Sequence, residues 1–175
     1  MSHWTIREPT EDDLPELAAL GRKTFADTFG HLYAPEDLAA FQGQVWGDDG
    51  LPPEFRAGER TFRVAEVDGE LVAFAKIGKP YLPVPDADPT RKRIELCQLY
   101  VDKPWHGTGL AQELMDWAVG AARAGGYDDI YLSVYVDNHR AQRFYARYGF
   151  EEVGRYAFKV GSQVDDDRIW RLKLI

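Results

Sequence analysis

The sequence predicts one α/β (α+β) domain over residues 1–175, built on a mixed, mostly antiparallel central sheet. Three observations lead there. Strand-like and helix-like segments follow the order β-α-α-β-β-β-α-β-α-β-β. An Asp68-Gly69 pair joins two β-type runs into a hairpin. Helices alternate with strands only in the second half, where short crossovers demand at least one parallel pairing.

Thr5-Ile6-Arg7 opens as a strand. Thr10 then offers a helix cap, with Glu11, Asp12 and Asp13 at the positive end of the helix dipole. Leu14, Leu17, Ala18, Gly21, Phe25 and Thr28 recur at helical spacing, so a helix is expected from about Asp12 to Thr28, ended by Gly30. Pro35-Glu36-Asp37 opens a second, short helix carrying Leu38, Phe41 and Val45. The stretch from Gly47 to Glu59, with Asp48-Asp49-Gly50 and Pro52-Pro53, reads as a loop. Thr61 to Val67 and Glu70 to Ile77 flank the Asp-Gly turn as paired strands. Between Lys79 and Arg93, Pro80, Pro83, Pro85 and Pro89 lack backbone donors, which makes this a long excursion loop.

Ile94 to Val101 is the next strand, followed by a helix from Gly109 to Ala124 with Leu110, Leu114, Trp117, Ala118 and Ala121 on one stripe and Gly125-Gly126 as its stop. Ile130 to Val136 is again β-type. After Asn138 a short helix groups Ala141, Phe144, Tyr145 and Tyr148 and ends at Gly149, and two strands, about Glu151 to Phe158 and Arg168 to Leu174, close the order.

Composition narrows the function. A chain of 175 residues, 45% of them hydrophobic, can hold a core without staples, and one cysteine, Cys97, cannot form an internal disulfide. No run reaches the apolar length of a membrane span, and Met1 to Glu8 lack a signal-like pattern, so the expected location is cytoplasmic. The net charge of -8 argues against nucleic acid and anionic membranes as partners and admits a cationic small molecule or peptide. Four histidines without ligand spacing predict no metal site.

The chemistry concentrates in Leu99 to Ala111, a strand, a glycine loop and the start of a helix. Such a junction aims free N–H groups and a helix dipole at one point, where a phosphate fits. Gly107 and Gly109 let the backbone approach it, and small Ala111 lets the helix approach the strand. A dinucleotide fingerprint fails because Gln112 stands where its third glycine belongs, and a P-loop fails for want of Gly-Lys before Ser or Thr.

The run His106-Gly107-Thr108-Gly109-Leu110-Ala111 resembles the acetyl-coenzyme A loop of the GCN5-related N-acetyltransferase (GNAT) family, with His106 in place of the usual Arg or Gln. Asn138-His139-Arg140-Ala141-Gln142-Arg143-Phe144-Tyr145, continuing to Gly149-Phe150, resembles that family's second motif without a departure. Thr24 to His31 and the tail from Phe158 to Leu174 resemble its PaiA-like spermine/spermidine acetyltransferase branch.

The resemblance implies helices on both faces of a sheet whose one parallel pair splays, and acetyl-CoA as cosubstrate. It implies that backbone groups of Leu99, Tyr100 and Val101 pair with the pantetheine arm, with an N–H near Leu99 serving the oxyanion. His106, Gly107, Thr108, Gly109, Leu110 and Ala111 would hold the pyrophosphate, an imidazolium at His106 strengthening the contact as pH falls. Asn138 and Arg140 would touch the cofactor, and Tyr145 would protonate the leaving thiolate in a site that lowers its pKa.

Other readings stay open. Phe144-Tyr145 also suits a packing pair. Glu95, on one strand face with Cys97 and Leu99 by strict alternation and opposite Gln98 and Tyr100, is the candidate base, or a structural partner of Arg91 or Arg93. Cys97 is an inert thiol or, less simply, an acyl nucleophile. The expected activity is acetyl transfer to a primary amine, a polyamine or other small amine, by direct attack in a ternary complex. The alternatives are a protein or peptide N-acetyltransferase, or a non-catalytic acyl-CoA sensor of the same fold. A homodimer is compatible with either.

Overall fold

In the computed structural model, which describes residues 3–84 and 87–175, seven strands form one sheet in the order β1-β2-β3-β4-β5-β7-β6. The strands are β1 (Thr5–Arg7), β2 (Arg60–Val67), β3 (Glu70–Gly78), β4 (Arg93–Val101), β5 (Asp129–Tyr135), β6 (Glu151–Val160) and β7 (Gln163–Lys173). The helices are α1 (Leu14–Phe29), α2 (Pro35–Trp46), α3 (Leu51–Ala57), α4 (Leu110–Ala124) and α5 (His139–Tyr148). Met1, Ser2, Asp86 and Pro85 of the predicted excursion loop lie outside the described residues.

The two sheet faces are covered by different helices. Leu14, Leu17 and Phe25 of α1, Trp46 of α2 and Leu51 of α3 bury Phe62, Val64 and Phe74 on one face. Met115, Ala118 and Val119 of α4, joined by Phe144 and Tyr145 of α5, bury Ile94, Leu96, Ile130 and Leu132 on the other. The expected mixed sheet with helices on both faces is therefore present, and its one parallel pair is β4 with β5.

Two expectations need correction. The segment from Gly47 to Glu59 is not a plain loop, because α3 occupies Leu51–Ala57. Its prolines stand in the first turn, where a missing N–H breaks no helical bond, and Gly58 stops it at φ 71. The last strand begins at Gln163, paired with Val160 across a tight turn, and not at Arg168; the charged run Asp165-Asp166-Asp167 is strand.

The feature that positions the site is where pairing stops. β4 and β5 register only through Arg93↔Asp129, Ile94↔Ile130 and Glu95↔Tyr131, whereas the strands run on to Val101 and Tyr135. The paired root is clamped: the Arg91 guanidinium donates to both carboxylate oxygens of buried Asp129, each at 2.7 Å, and the Lys92 carbonyl accepts from the Asp128 N–H at 2.7 Å. Beyond Glu95 the facing edges of the two strands have no partner across the gap, which leaves a split open at one end.

Candidate active site

On the α4 side of the split, the turn from Val101 to Leu110 needs two left-handed residues, Gly107 at φ 73 and Gly109 at φ 93. No Cβ added at either would touch another residue, so backbone conformation and access demand glycine here, not crowding. Among the described residues the N–H groups from Gly107 to Gln112 find no backbone acceptor; the first amide of the α4 ladder is that of Glu113, which donates to the Gly109 carbonyl at 3.1 Å. The result is a row of free amides ending on the positive end of a helix of 15 residues, a cradle that fits a pyrophosphate.

His106 departs from its expected role. Its Nε2 bonds the Val101 carbonyl at 2.7 Å, and its Nδ1 lies 2.6 Å from Nη1 of Arg140. A carbonyl only accepts and a guanidinium only donates, so the ring is the neutral tautomer with its proton on Nε2. Both ring nitrogens are spent within the protein. The cation offered beside the glycine loop is Arg140, carried on the first turn of α5 and steadied by the imidazole.

Asn138 caps α5 as expected, its Oδ1 accepting from the Ala141 N–H at 3.2 Å. Gln142 donates to the carbonyls of Tyr135 and Val136 at 3.2 and 2.7 Å, fixing the end of β5 to this helix. Tyr145 packs against Phe144 and Phe150 with ring centroids 5.6 and 5.8 Å apart. Burial pushes its pKa up to about 12, which corrects the expectation of a lowered value.

The strand β4 does not alternate strictly. Ile77 pairs with Leu96 but Lys76 pairs with Gln98, so Cys97 is an extra residue in a bulge. Partners across a ladder share a face. Glu95, Gln98 and Tyr100, opposite Gly78, Lys76 and Phe74, therefore face the α1 side together, and Leu96, Leu99 and Val101 face α4. The expected grouping of Glu95 with Leu99 is overturned by this phase shift.

One Glu95 oxygen accepts from the N–H groups of Tyr81 and Leu82, both at 3.0 Å, and neither Arg91 nor Arg93 pairs with it. Cys97 is held inert by burial, which pushes its thiol up to about 12.

The α1 side of the split also contains residues that the sequence reading passed over. Tyr33 donates to buried Asp165 on β7, and Asp167, two residues on, stands opposite Tyr135 of β5. The Tyr100 hydroxyl feels both Tyr145 and Asp167, and burial raises its pKa. A signal existed: three aspartates inside a strand are costly unless they serve something.

Among the described residues no group of three or more His, Cys, Asp or Glu side chains could hold a metal ion, and no helix is long and apolar enough to cross a membrane.

A split parallel pair beside an amide cradle can hold a ligand that carries both a phosphate and an extended amide arm, as an acyl-CoA does. The acetyltransferase (GNAT) family profile matches residues 22–150, and the chain belongs to that family. It is 31% identical over 170 residues, 97% of each chain, to an uncharacterized N-acetyltransferase from the pepI 3′ region of Lactobacillus delbrueckii subsp. lactis. It is 33% identical over 92 residues, 52% of this chain and 59% of the relative, to a Bacillus subtilis subsp. natto protein named "Probable spermine N(1)-acetyltransferase". The crystal structure of the PaiA N-acetyltransferase of Thermoplasma acidophilum in complex with coenzyme A superposes with a TM-score of 0.75 at 20% identity, covering 99% of both chains. The protein is an N-acetyltransferase, and its acetyl donor is acetyl-CoA.

Proposed function

We propose that this acetyltransferase moves the acetyl group of acetyl-CoA to a primary amine, a polyamine or other small amine, by direct attack in a ternary complex, with residues 1–175 serving as one cytoplasmic catalytic domain. The observation that carries this reading is the split itself: an anion cradle opens on its α4 side and an acidic, aromatic surface on its α1 side. A net charge of -8 favours a cationic acceptor, and the spermine acetyltransferase name of one relative points the same way.

In this reading the amides of Gly107 to Gln112 and the Arg140 guanidinium bind the pyrophosphate, with His106, Thr108, Leu110 and Ala111 shaping the turn. Leu99 and Val101 turn their N–H groups to the split, the Leu99 N–H facing the carbonyl oxygen of the acetyl group, while the Val101 carbonyl is held by His106 and Tyr100, between them, pairs with Phe74 of β3. Asn138 fixes the end of α5 and touches the pantetheine arm.

Tyr145 donates the proton that the departing sulfur needs. At a value of about 12 this transfer is uphill by roughly 5 kcal/mol against a thiol in water, so Tyr145 acts as the C–S bond breaks and not after a free thiolate has formed. Glu95, one oxygen engaged at the closed end of the split, holds the loop after β3 on the sheet; a water on its second oxygen is its remaining route to a base role.

The test is a screen of spermidine, spermine, simple alkylamines and short peptides with acetyl-CoA, following released thiol with a thiol-reactive dye. Thiol release with small amines supports the reading. Release with peptides alone would turn it toward a peptide acetyltransferase, and coenzyme A binding without release toward a sensor.

A further inference from the structure

We infer that Asp167 is the carboxylate that receives the protonated acceptor amine, beside Tyr33, Tyr100, Tyr135 and Asp165 on the α1 side of the split; this rests on the acetyltransferase reading above.

Asp167 is only 8% exposed. Its register partners are Tyr135 on β5 and Tyr156 on β6, so it stands one strand away from the unpaired half of β5. Desolvation and the neighbouring carboxylates of Asp165 and Asp166 act on it, and no hydrogen bond or cation offsets them. The one fully enclosed side-chain polar atom without a partner among the described residues is the Trp170 indole nitrogen, so the Asp167 carboxylate, also without one, is reached from solvent. A folded protein leaves a carboxylate in such a setting when something outside the chain supplies the positive charge.

The surroundings specify what that is. Tyr33 is tied to Asp165 by its hydroxyl, and Tyr135 to Asp137 at 3.2 Å, so two of the rings are fixed by carboxylates. Phe29 meets the Tyr135 ring edge-on at 6.4 Å. Aromatic faces around a carboxylate suit an alkylammonium, whose charge meets the oxygen and whose CH₂ groups meet the rings. Exposed Asp137 extends the negative potential to the rim. Both Asp167 and Tyr145 act electrostatically on the Tyr100 hydroxyl, so the carboxylate and the residue proposed to serve the sulfur share Tyr100 as a neighbour.

The protons balance. Asp167 takes one proton from the ammonium and becomes a carboxylic acid. The freed lone pair forms the C–N bond to the acetyl carbon, and the C–S bond breaks. Tyr145 gives its proton to sulfur and recovers the nitrogen's second proton, while the proton on Asp167 leaves to solvent. Burial and its acidic neighbours hold Asp167 at about 7, suited to taking and releasing a proton at neutral pH.

The experiment is calorimetric titration of spermidine, n-butylamine and alanine amide into the wild type and Asp167→Asn, with and without coenzyme A. Expected is binding of at least one amine to the wild-type coenzyme A complex, weakened tenfold or more in Asp167→Asn while coenzyme A affinity stays within twofold. Equal amine affinity in the two proteins, or no binding of any of the three amines to the wild type, overturns the inference. Should coenzyme A fail to bind while an amine still binds through Asp167, the acetyltransferase reading falls and the ammonium site stands.

If the variant does not fold, the wild type alone decides. The charged or titratable groups around Asp167 are Asp165, Asp166, Asp137 and the four tyrosines Tyr33, Tyr100, Tyr135 and Tyr156, and the cation-free setting leaves the Asp167 carboxylate raised to about 7. Amine affinity should fall tenfold or more from pH 8 to pH 5.5, and an unchanged affinity overturns the inference.

Discussion

The two sides of the β4–β5 split are made of different material. On the α4 side the groups offered to a ligand are main-chain amides in one continuous segment, Gly107 to Gln112, with one side-chain cation brought over from α5. On the α1 side they are side chains from separate elements, Tyr33 after α1, Tyr100 on β4, Tyr135 on β5 and Asp165 and Asp167 on β7. A site built from backbone tolerates most substitutions and fails only where a side chain blocks it. A site built from side chains can change its ligand one residue at a time.

Tyr145, on the helix that brings Arg140 to the α4 side, should produce the largest effect. Tyr145→Phe keeps the ring packing and should lower kcat on the order of 10- to 1,000-fold with little change in either Kd. Full turnover, with chemistry rate-limiting, would make the tyrosine a packing residue.

Gly109→Val should break the backbone side alone. A β-branched residue cannot adopt φ 93 without strain, and its side chain would stand over the amides. Coenzyme A affinity should fall on the order of 100-fold by calorimetry while amine binding survives.

Arg140→Ala should cost coenzyme A about tenfold, the scale of one charge-assisted contact. His106→Gln sharpens the point. The imidazole supplies the acceptor that steadies Arg140, so the Gln variant should bind coenzyme A more weakly than the wild type but more tightly than Arg140→Ala by calorimetry.

On the side-chain face, Asp167→Asn should stabilise. The folded value, about 7, lies above the ordinary 3.8, so the folded state binds this proton more tightly; that advantage is complete at low pH and is lost as pH rises through 7. At pH 8 the variant's Tm should exceed that of the wild type by about 2–4 °C. The smallest effect is expected at the bulge: Cys97→Ala should leave kcat within about twofold, because a thiol held up at about 12 takes no part in transfer.

The same contrast explains what the sequence could disclose. The amide cradle was legible because its requirement is local: two glycines, a strand before and a helix after, all within Leu99 to Gln112. The Asp-Gly hairpin and the Asn138 cap were legible for the same reason. The pairing of His106 with Arg140 spans 34 residues of sequence and was not. Neither was the bulge at Cys97, which no residue type in β4 marks but which turns Glu95 away from Leu99. Helix α3 was hidden because two prolines signal a loop unless their place in the first turn is known. Asp167 lay in a segment read as connection until its register with Tyr135 was fixed.

The clamp at the root of the split has a thermodynamic consequence. Arg91 and Asp129 hold β4 and β5 together at one end, and the remaining edge of each strand offers main-chain donors and acceptors that a bound pantetheine amide can answer. Occupancy then adds rungs to a ladder that the chain alone leaves unfinished, and the free energy of those rungs belongs to folding as much as to binding. The melting temperature becomes a gauge of acyl-CoA concentration, and a chain short of its cosubstrate is the form first offered to proteases.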